Sequence, residues 1–232
     1  MNTLAHRFLT FISILCVIIL LLPASVAAAS DDLTDADRET FLNNISLTLL
    51  SAEPEKDKIC CFDVNIDNLI AVGTTGSEGA RILVYSADGA FQYGYSFQCH
   101  QRFAVSWDGG NIAIYFVRSD IVAKFDRNGN NISLTSVEAD PQSGDFWSGK
   151  ITATQCTANG KTYRIQTGIG ILGLVATGYS QLVVIDSRGQ ENILYDISSR
   201  YRVVVLLCLV AVLLLTAFVV RMIIRGISKK NS

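Results

Sequence analysis

The chain has 232 residues, half of them hydrophobic, and a formal net charge of −2. Between two apolar stretches, residues 30–200 hold all 21 acidic residues but only 13 of the 19 basic ones, a net charge of −8. Phosphate binding needs clustered Lys and Arg, so this balance excludes nucleic acid as a partner class.

Residues 1–29 have the grammar of a secretory signal peptide. Arg7 is the positive region, residues 8–22 are an apolar run, Pro23 breaks it, and Ala27-Ala28-Ala29 offers a small-residue cleavage site. An uncleaved anchor is the alternative; either way residues from Ser30 onward are exported.

Residues 30–60 form the N-terminal segment of the exported domain. Thr34 followed by Asp37 suits a helix start, with Phe41, Ile45 and Leu49 on one face. Residues 43–50 suit a strand equally well. Cys60, Cys61, Cys99 and Cys156 lie in this exported portion, where thiols oxidise, and four cysteines allow three pairings. Vicinal cysteines rarely bridge each other, so Cys60 and Cys61 are expected to reach Cys99 or Cys156. A metal site from Cys60, Cys61, Cys99 and His100 lacks the usual C-x-x-C spacing.

Residues 61–200 change character. Short runs rich in Val, Ile, Tyr and Phe alternate with Gly, Asn and Asp turns, which predicts antiparallel β-structure. The expected strands are 68–73, 81–85, 111–117, 121–125, 151–155, 162–166, 172–177 and 182–185. A repeat runs through them: RILVYSADGAFQY from Arg81, DIVAKFDRNGNNISL from Asp120 and QLVVIDSRGQENILY from Gln181. Each is a strand, a turn closing on Gly89, Gly129 or Gly189, and a second strand; Asn159-Gly160 marks a fourth hairpin. The hexapeptide NNISLT occurs twice, from Asn43 and from Asn130.

At these residues the chain resembles NHL-type and related β-propeller repeats, in which a strand, an Asp-x-x-Gly turn and a further strand build a blade. The resemblance covers roughly residues 61–195. It implies an open or partial propeller of about four blade units, which binds through its loops and has no intrinsic catalysis. A β-sandwich built from the same hairpins is the alternative.

Chemistry-bearing motifs are sparse. Gly168, Gly170 and Gly173 spell G-x-G-x-x-G, but the stretch that follows is too short for the helix a dinucleotide site needs. Asp126, Asn128 and Asn130 open like a calcium loop, as do Asp63, Asn65 and Asp67. Both lack the Gly and Glu at positions six and twelve, which leaves Asx turns as the competing account. Ser86-Ala-Asp88-Gly89 and Ser106-Trp-Asp108-Gly109 resemble the first half of an Asp-box turn, a structural motif. His100 is the sole histidine beyond the signal, and no nucleophile-elbow motif accompanies it. No catalytic residue and no cofactor is indicated. Asn44 and Asn131 begin glycosylation sequons, relevant only in a eukaryote.

Residues 203–220 contain no charge, and the apolar pattern continues past Arg221 to Ile224. At about 1.5 Å per residue, residues 203–224 reach roughly 33 Å, enough to cross a hydrocarbon core of about 30 Å. Residues 225–232 form a basic tail, cytoplasmic by the positive-inside rule. The sequence therefore predicts a single-pass protein of the cell membrane, or of early secretory membranes in a eukaryote, where Lys229-Lys230 would match a di-lysine signal. Its exported β-domain would bind or scaffold a protein or surface ligand near the membrane. A carboxylate-dependent hydrolase and a small accessory subunit of a membrane complex are the rival functions.

Overall fold

A computed structural model describes residues 33–138, 141–168 and 178–230. Helix α1 spans Asp35–Ile45. The Thr34 hydroxyl caps it by accepting a bond from the Asp37 N–H, and Asp35 and Asp37 sit in its first turn, where the helix dipole favours negative charge. Ser46 ends it in the left-handed conformation. Phe41 and Ile45 face inward as the periodicity predicts, with the Phe41 ring edge-on to Phe116 at 5.1 Å. Leu49 does not share that face: the chain has already entered strand β1, Thr48–Leu50, and Leu49 is exposed.

The remaining strands fall into antiparallel meanders. The first sheet contains β2 (Lys58–Val64), β3 (Ile70–Gly76), β4 (Gly79–Tyr85) and β5 (Phe91–Phe97), with β1 added beyond β5. The second runs β6 (Phe103–Asp108), β7 (Asn111–Phe116), β8 (Ile121–Phe125), β9 (Asn131–Ser136). Helix α2 (Pro141–Thr152) follows. The third sheet runs β10 (Gln155–Ala158), β11 (Lys161–Gln166), β12 (Gln181–Ile185), β13 (Glu191–Asp196). Among the described residues the sheets do not close on one another.

The repeat read in the sequence falls on the same place in every sheet, the hairpin from third to fourth strand. Gly89, Gly129 and Gly189 have φ of 85°, 83° and 79°. Each N–H closes the turn onto the carbonyl three residues earlier, of Ser86, Asp126 and Asp186. A side chain at this φ would be strained, which is why glycine recurs. Asn159-Gly160 is different. It is the first-to-second turn of the third sheet, with both φ positive, so it adds no fourth unit.

The first sheet is buried on both faces. Ile82, Val84 and Ala71 point toward the second sheet, while Leu83, Tyr85, Ile70 and Val72 point toward the third. That explains why residues 82–85 of β4 read as an unbroken apolar run, as strands covered on both sides do. In β8, Ile121, Ala123 and Phe125 are buried toward the first sheet, Val122 packs on the α2 side, and Lys124 points outward to pair with Asp108. Helix α2 covers the second sheet's other face, with Trp147 tilted against Tyr115 at 5.4 Å and Ala104, Ala113 and Val137 around it.

Two expectations need correction. Residues 151–155 are not a strand: Ile151 and Thr152 end α2, where Ile151 packs below Trp147, and β10 begins only at Gln155. Position two of the third sheet belongs to β11, and the expected strand at 172–177 lies outside the described residues. The NNISLT repeat also splits. From Asn130 it lies in the turn and in β9, with Ile132 exposed. From Asn43 it ends α1, turns at Ser46 and enters β1, with Ile45 in the core. The flanking helix cap and burial decide its conformation, not the hexapeptide.

The first strands of the sheets converge on Asp63 of β2. Its Oδ2 accepts bonds from the Ser106 hydroxyl (3.0 Å) and the Trp107 N–H (2.9 Å) of β6. Its Oδ1 meets Lys150 Nζ of α2 at 2.8 Å, and its carbonyl accepts from Trp107 Nε1. With only 10% of the Asp63 side chain exposed, one carboxylate ties two sheets and a helix together.

Helix α3, Ser198–Lys230, follows β13 directly and is about 50 Å long at 1.5 Å per residue. Its stretch Ser198–Thr216 has mean hydropathy 2.0 and is long and apolar enough to cross a membrane; beyond buried Ser198 none of its described side chains is buried. The Thr216 hydroxyl donates back to Val212 and Leu213 carbonyls, leaving no polar group unpaired there. The segment read as a short tail continues as helix to Lys230.

Replacing Lys150 by Met leaves a mostly buried carboxylate without its cation, a change that costs about 3 kcal/mol. Thermal unfolding of the detergent-solubilised chain is therefore expected to fall by roughly 6–12 °C, and to recover in part in D63N/K150M. A K150M midpoint within 2 °C of the parent contradicts the assignment.

Candidate functional site

An antiparallel meander alternates its turns between two ends. At one end lie the turns at 65–68, 108–111 and 158–161; Asn159 Nδ2 ties the last to the first, donating to the Asn65 and Ile66 carbonyls and to Asn68 Oδ1. At the other lie the turns at 76–79 and 117–120, the connector 98–102 and the start of α3. Gln101 bridges two of these: its Oε1 accepts from the Arg118 N–H and its Nε2 donates to Ser119.

The helix-bearing end is firmly tied. The Ile197 N–H donates to the Ser180 carbonyl, and the Ser198 N–H to Asp196 Oδ1 at 2.7 Å. Arg200 pairs with Glu55 and donates to the Lys56 carbonyl, while Arg202 reaches the Gly168 carbonyl. Asp196 is only slightly buried, and bonds from Ser198 and Gln181 hold its carboxyl below the usual range against the opposing effect of that burial. The Tyr195 hydroxyl donates to the Asp57 carbonyl at 2.6 Å, and burial pushes its pKa up. Tyr85 donates to Glu53, and Lys56 sits over the Tyr195 ring at 5.0 Å.

Two cavities open at this end, on either side of Thr75. The larger, about 490 Å³, is lined by Asp57, Lys58, Thr75, Gly76, Ser77, Ile197 and Arg200. Asp57 pairs with Arg81 at 2.6 Å, and Arg81 also pairs with Glu78. Lys58 makes no ion pair among the described residues. The smaller, about 340 Å³, contains Cys60, Cys99, His100, Arg102 and Phe103.

Among the described residues Cys60, Cys61, Cys99 and Cys156 are not joined by disulfides, and Cys60 and Cys99 line the same cavity. A bulge in β2 sets Cys60 and Cys61 together against Gly73, so both point toward the second sheet with sulfurs 3.8 Å apart. Cys60 donates to the Gly73 carbonyl and Cys99 to the Gln101 carbonyl, each at 3.3 Å. Cys156 packs on the opposite face of the first sheet, among the residues facing the third. Burial raises the Cys61 and Cys99 pKa values, and burial followed by the Asp63 charge pushes Cys156 up to about 11.

The loop candidates behave as turns. Asp126 Oδ1 accepts from the Asn128 and Asn130 N–H groups at 2.8 Å, and its Oδ2 from the Asn130 side chain at 2.9 Å. Asp63 and Asn65 do not converge with Asp67: Asp63 faces Lys150, and Asn65 Oδ1 accepts from the Leu69 N–H. No three His, Cys, Asp or Glu side chains among the described residues form a metal-binding group. His100 is exposed at the smaller cavity, apart from the Ser106–Asp63 pair. The glycine motif from Gly168 lies mostly outside the described residues.

Sequence reasoning missed the larger cavity and the Asp63–Lys150 tie. Both join residues far apart in the chain, and the only local signal was the pair of arginines just ahead of the apolar run. No protein-family model matches the chain, and no curated protein matches it in sequence.

The thiolate is the reactive form, so a raised pKa lowers its population at neutral pH. Maleimide labelling of Cys156 under reducing conditions is expected to accelerate about tenfold per pH unit from 7 to 10. Cys61 should label only on unfolding. A Cys156 rate that levels off by pH 8.5, or native labelling of Cys61, contradicts this placement.

Proposed function

We propose that the chain is a membrane-tethered, non-catalytic binding domain whose ligand-facing end is the one beside the bilayer. The observation that carries this is the junction at Ile197 and Ser198: the last strand runs into the apolar helix with no stalk, and Arg200 and Arg202 clamp the helix base to the domain. The cavities of about 490 and 340 Å³ open at that same end, while one of about 360 Å³ lies between α2 and the second sheet, beside Trp107 and Trp147. In this reading α3 spans the membrane, residues 1–29 direct export, and the sheets act as three blade-like units of an open propeller with α2 beside the second. Binding rather than catalysis is favoured because the one buried carboxylate beside a hydroxyl, Asp63, already has both oxygens engaged by Ser106, Trp107 and Lys150.

Photo-crosslinking residues placed singly at Ser77 and His100, and at Ile66 and Asp108 as opposite-end controls, test this in intact membranes. Adducts are expected at the first pair and not at the second. Adducts confined to Ile66 and Asp108 overturn the proposal.

A further inference from the structure

We infer that the larger cavity is a headgroup site for an anionic phospholipid, an inference that rests on the tethered reading above. The headgroup layer adds about 5–8 Å on each side of the hydrocarbon core. Arg200 precedes the first fully apolar position, Val203, by three residues, or about 4.5 Å along α3. The cavity wall that contains Arg200 therefore stands at headgroup depth.

Its chemistry suits a phosphodiester. Lys58 supplies a cation with no ion pair among the described residues, Arg200 a second one shared with Glu55, and Thr75 and Ser77 two hydroxyls. The one lining carboxylate, Asp57, is engaged by Arg81, and the core residue Ile197 forms the cavity's apolar wall. Lys58 is positioned by its stem, which lies against Gly178, where an added Cβ would meet Lys58 Cδ at 3.2 Å. A volume of about 490 Å³ is within the range of about 300–1,000 Å³ typical of small-ligand sites. The rest of the domain is net acidic and would repel an anionic lipid, so the selectivity would have to come from this local pair.

The test uses the full chain in non-ionic detergent with equal phosphatidylglycerol and phosphatidylcholine, read by native mass spectrometry of retained lipid. Each cation at an anionic headgroup contributes about fivefold, so phosphatidylglycerol should be retained over phosphatidylcholine at least that strongly. Lys58→Ala should lower the preference by about fivefold, Lys58→Glu should abolish it, and Lys58→Arg should keep it. Equal retention of the two lipids by the parent chain overturns the site, as does a preference unchanged in K58A. A preference lost instead in K229A/K230A assigns the lipid to the other end of α3 and equally overturns it. Stoichiometric binding of inorganic phosphate without lipid would make this a free-anion site and refute the headgroup assignment. Alkaline carbonate washing of membranes reads the tether separately. A chain that stays in the pellet yet shows no lipid preference sinks the headgroup site alone, and a chain that washes off sinks the tether as well.

Discussion

The rest of the account depends on a covalent constraint: β13 and α3 are joined without a linker. Tyr195 and Ile197 are buried in the third sheet's core cluster, and Ser198 already begins the helix. Among the described residues of Ser199–Thr216 no side chain is buried, and the stretch is long and apolar enough to cross a membrane. Hydrogen bonds and the Arg200–Glu55 pair hold the first helical turn to the domain. If the helix crosses a bilayer, the domain has little freedom in which end it turns toward that bilayer. The cavities at that end then face lipid or a neighbour in the same membrane.

Inside the domain, one sheet does the organising. Burial of the first sheet on both faces makes it the common wall of two cores, one shared with the second sheet and one with the third. Among the described residues the buried charge in this interior is Asp63, and its partners come from β6 and α2. Breaking such a partly buried pair costs more than forming it yields, so it specifies the arrangement more than it stabilises it. Tyr95 and Tyr115 extend the same economy, each spending its hydroxyl on a loop: Tyr95 on the Asp126 carbonyl and Tyr115 on Asp120, with burial pushing Tyr115 up to about 12.

Local chemistry in the sequence was enough to read the hairpins. Ser86 to Gly89, Asp126 to Gly129 and Asp186 to Gly189 are turns whose geometry is set by their own four or five residues. The α1 cap at Thr34 was legible for the same reason. Helix α2 was not. Pro141, Gly144 and Gly149 dilute its periodicity, and it gains its stability from Trp147 packing on Tyr115, a partner supplied by another element. The placement of Cys60 and Cys61 on one face was not legible either, because a β-bulge turns them there and no pattern of spacing announces a bulge. The candidate cavity was illegible because Lys58 and Arg200 lie 142 positions apart and meet only when the third sheet folds back beside β2.

The orientation of the domain on the bilayer is the claim on which both cavities' roles rest. Strands of six or seven residues separate its two ends by about 20 Å. The direct measurement is fluorescence quenching of a probe attached at Ser77, and separately at Ile66, in proteoliposomes containing headgroup-spin-labelled lipid. Strong quenching at residue 77 with little at residue 66 is the predicted result. Equal quenching at both positions, or stronger quenching at residue 66, contradicts the account.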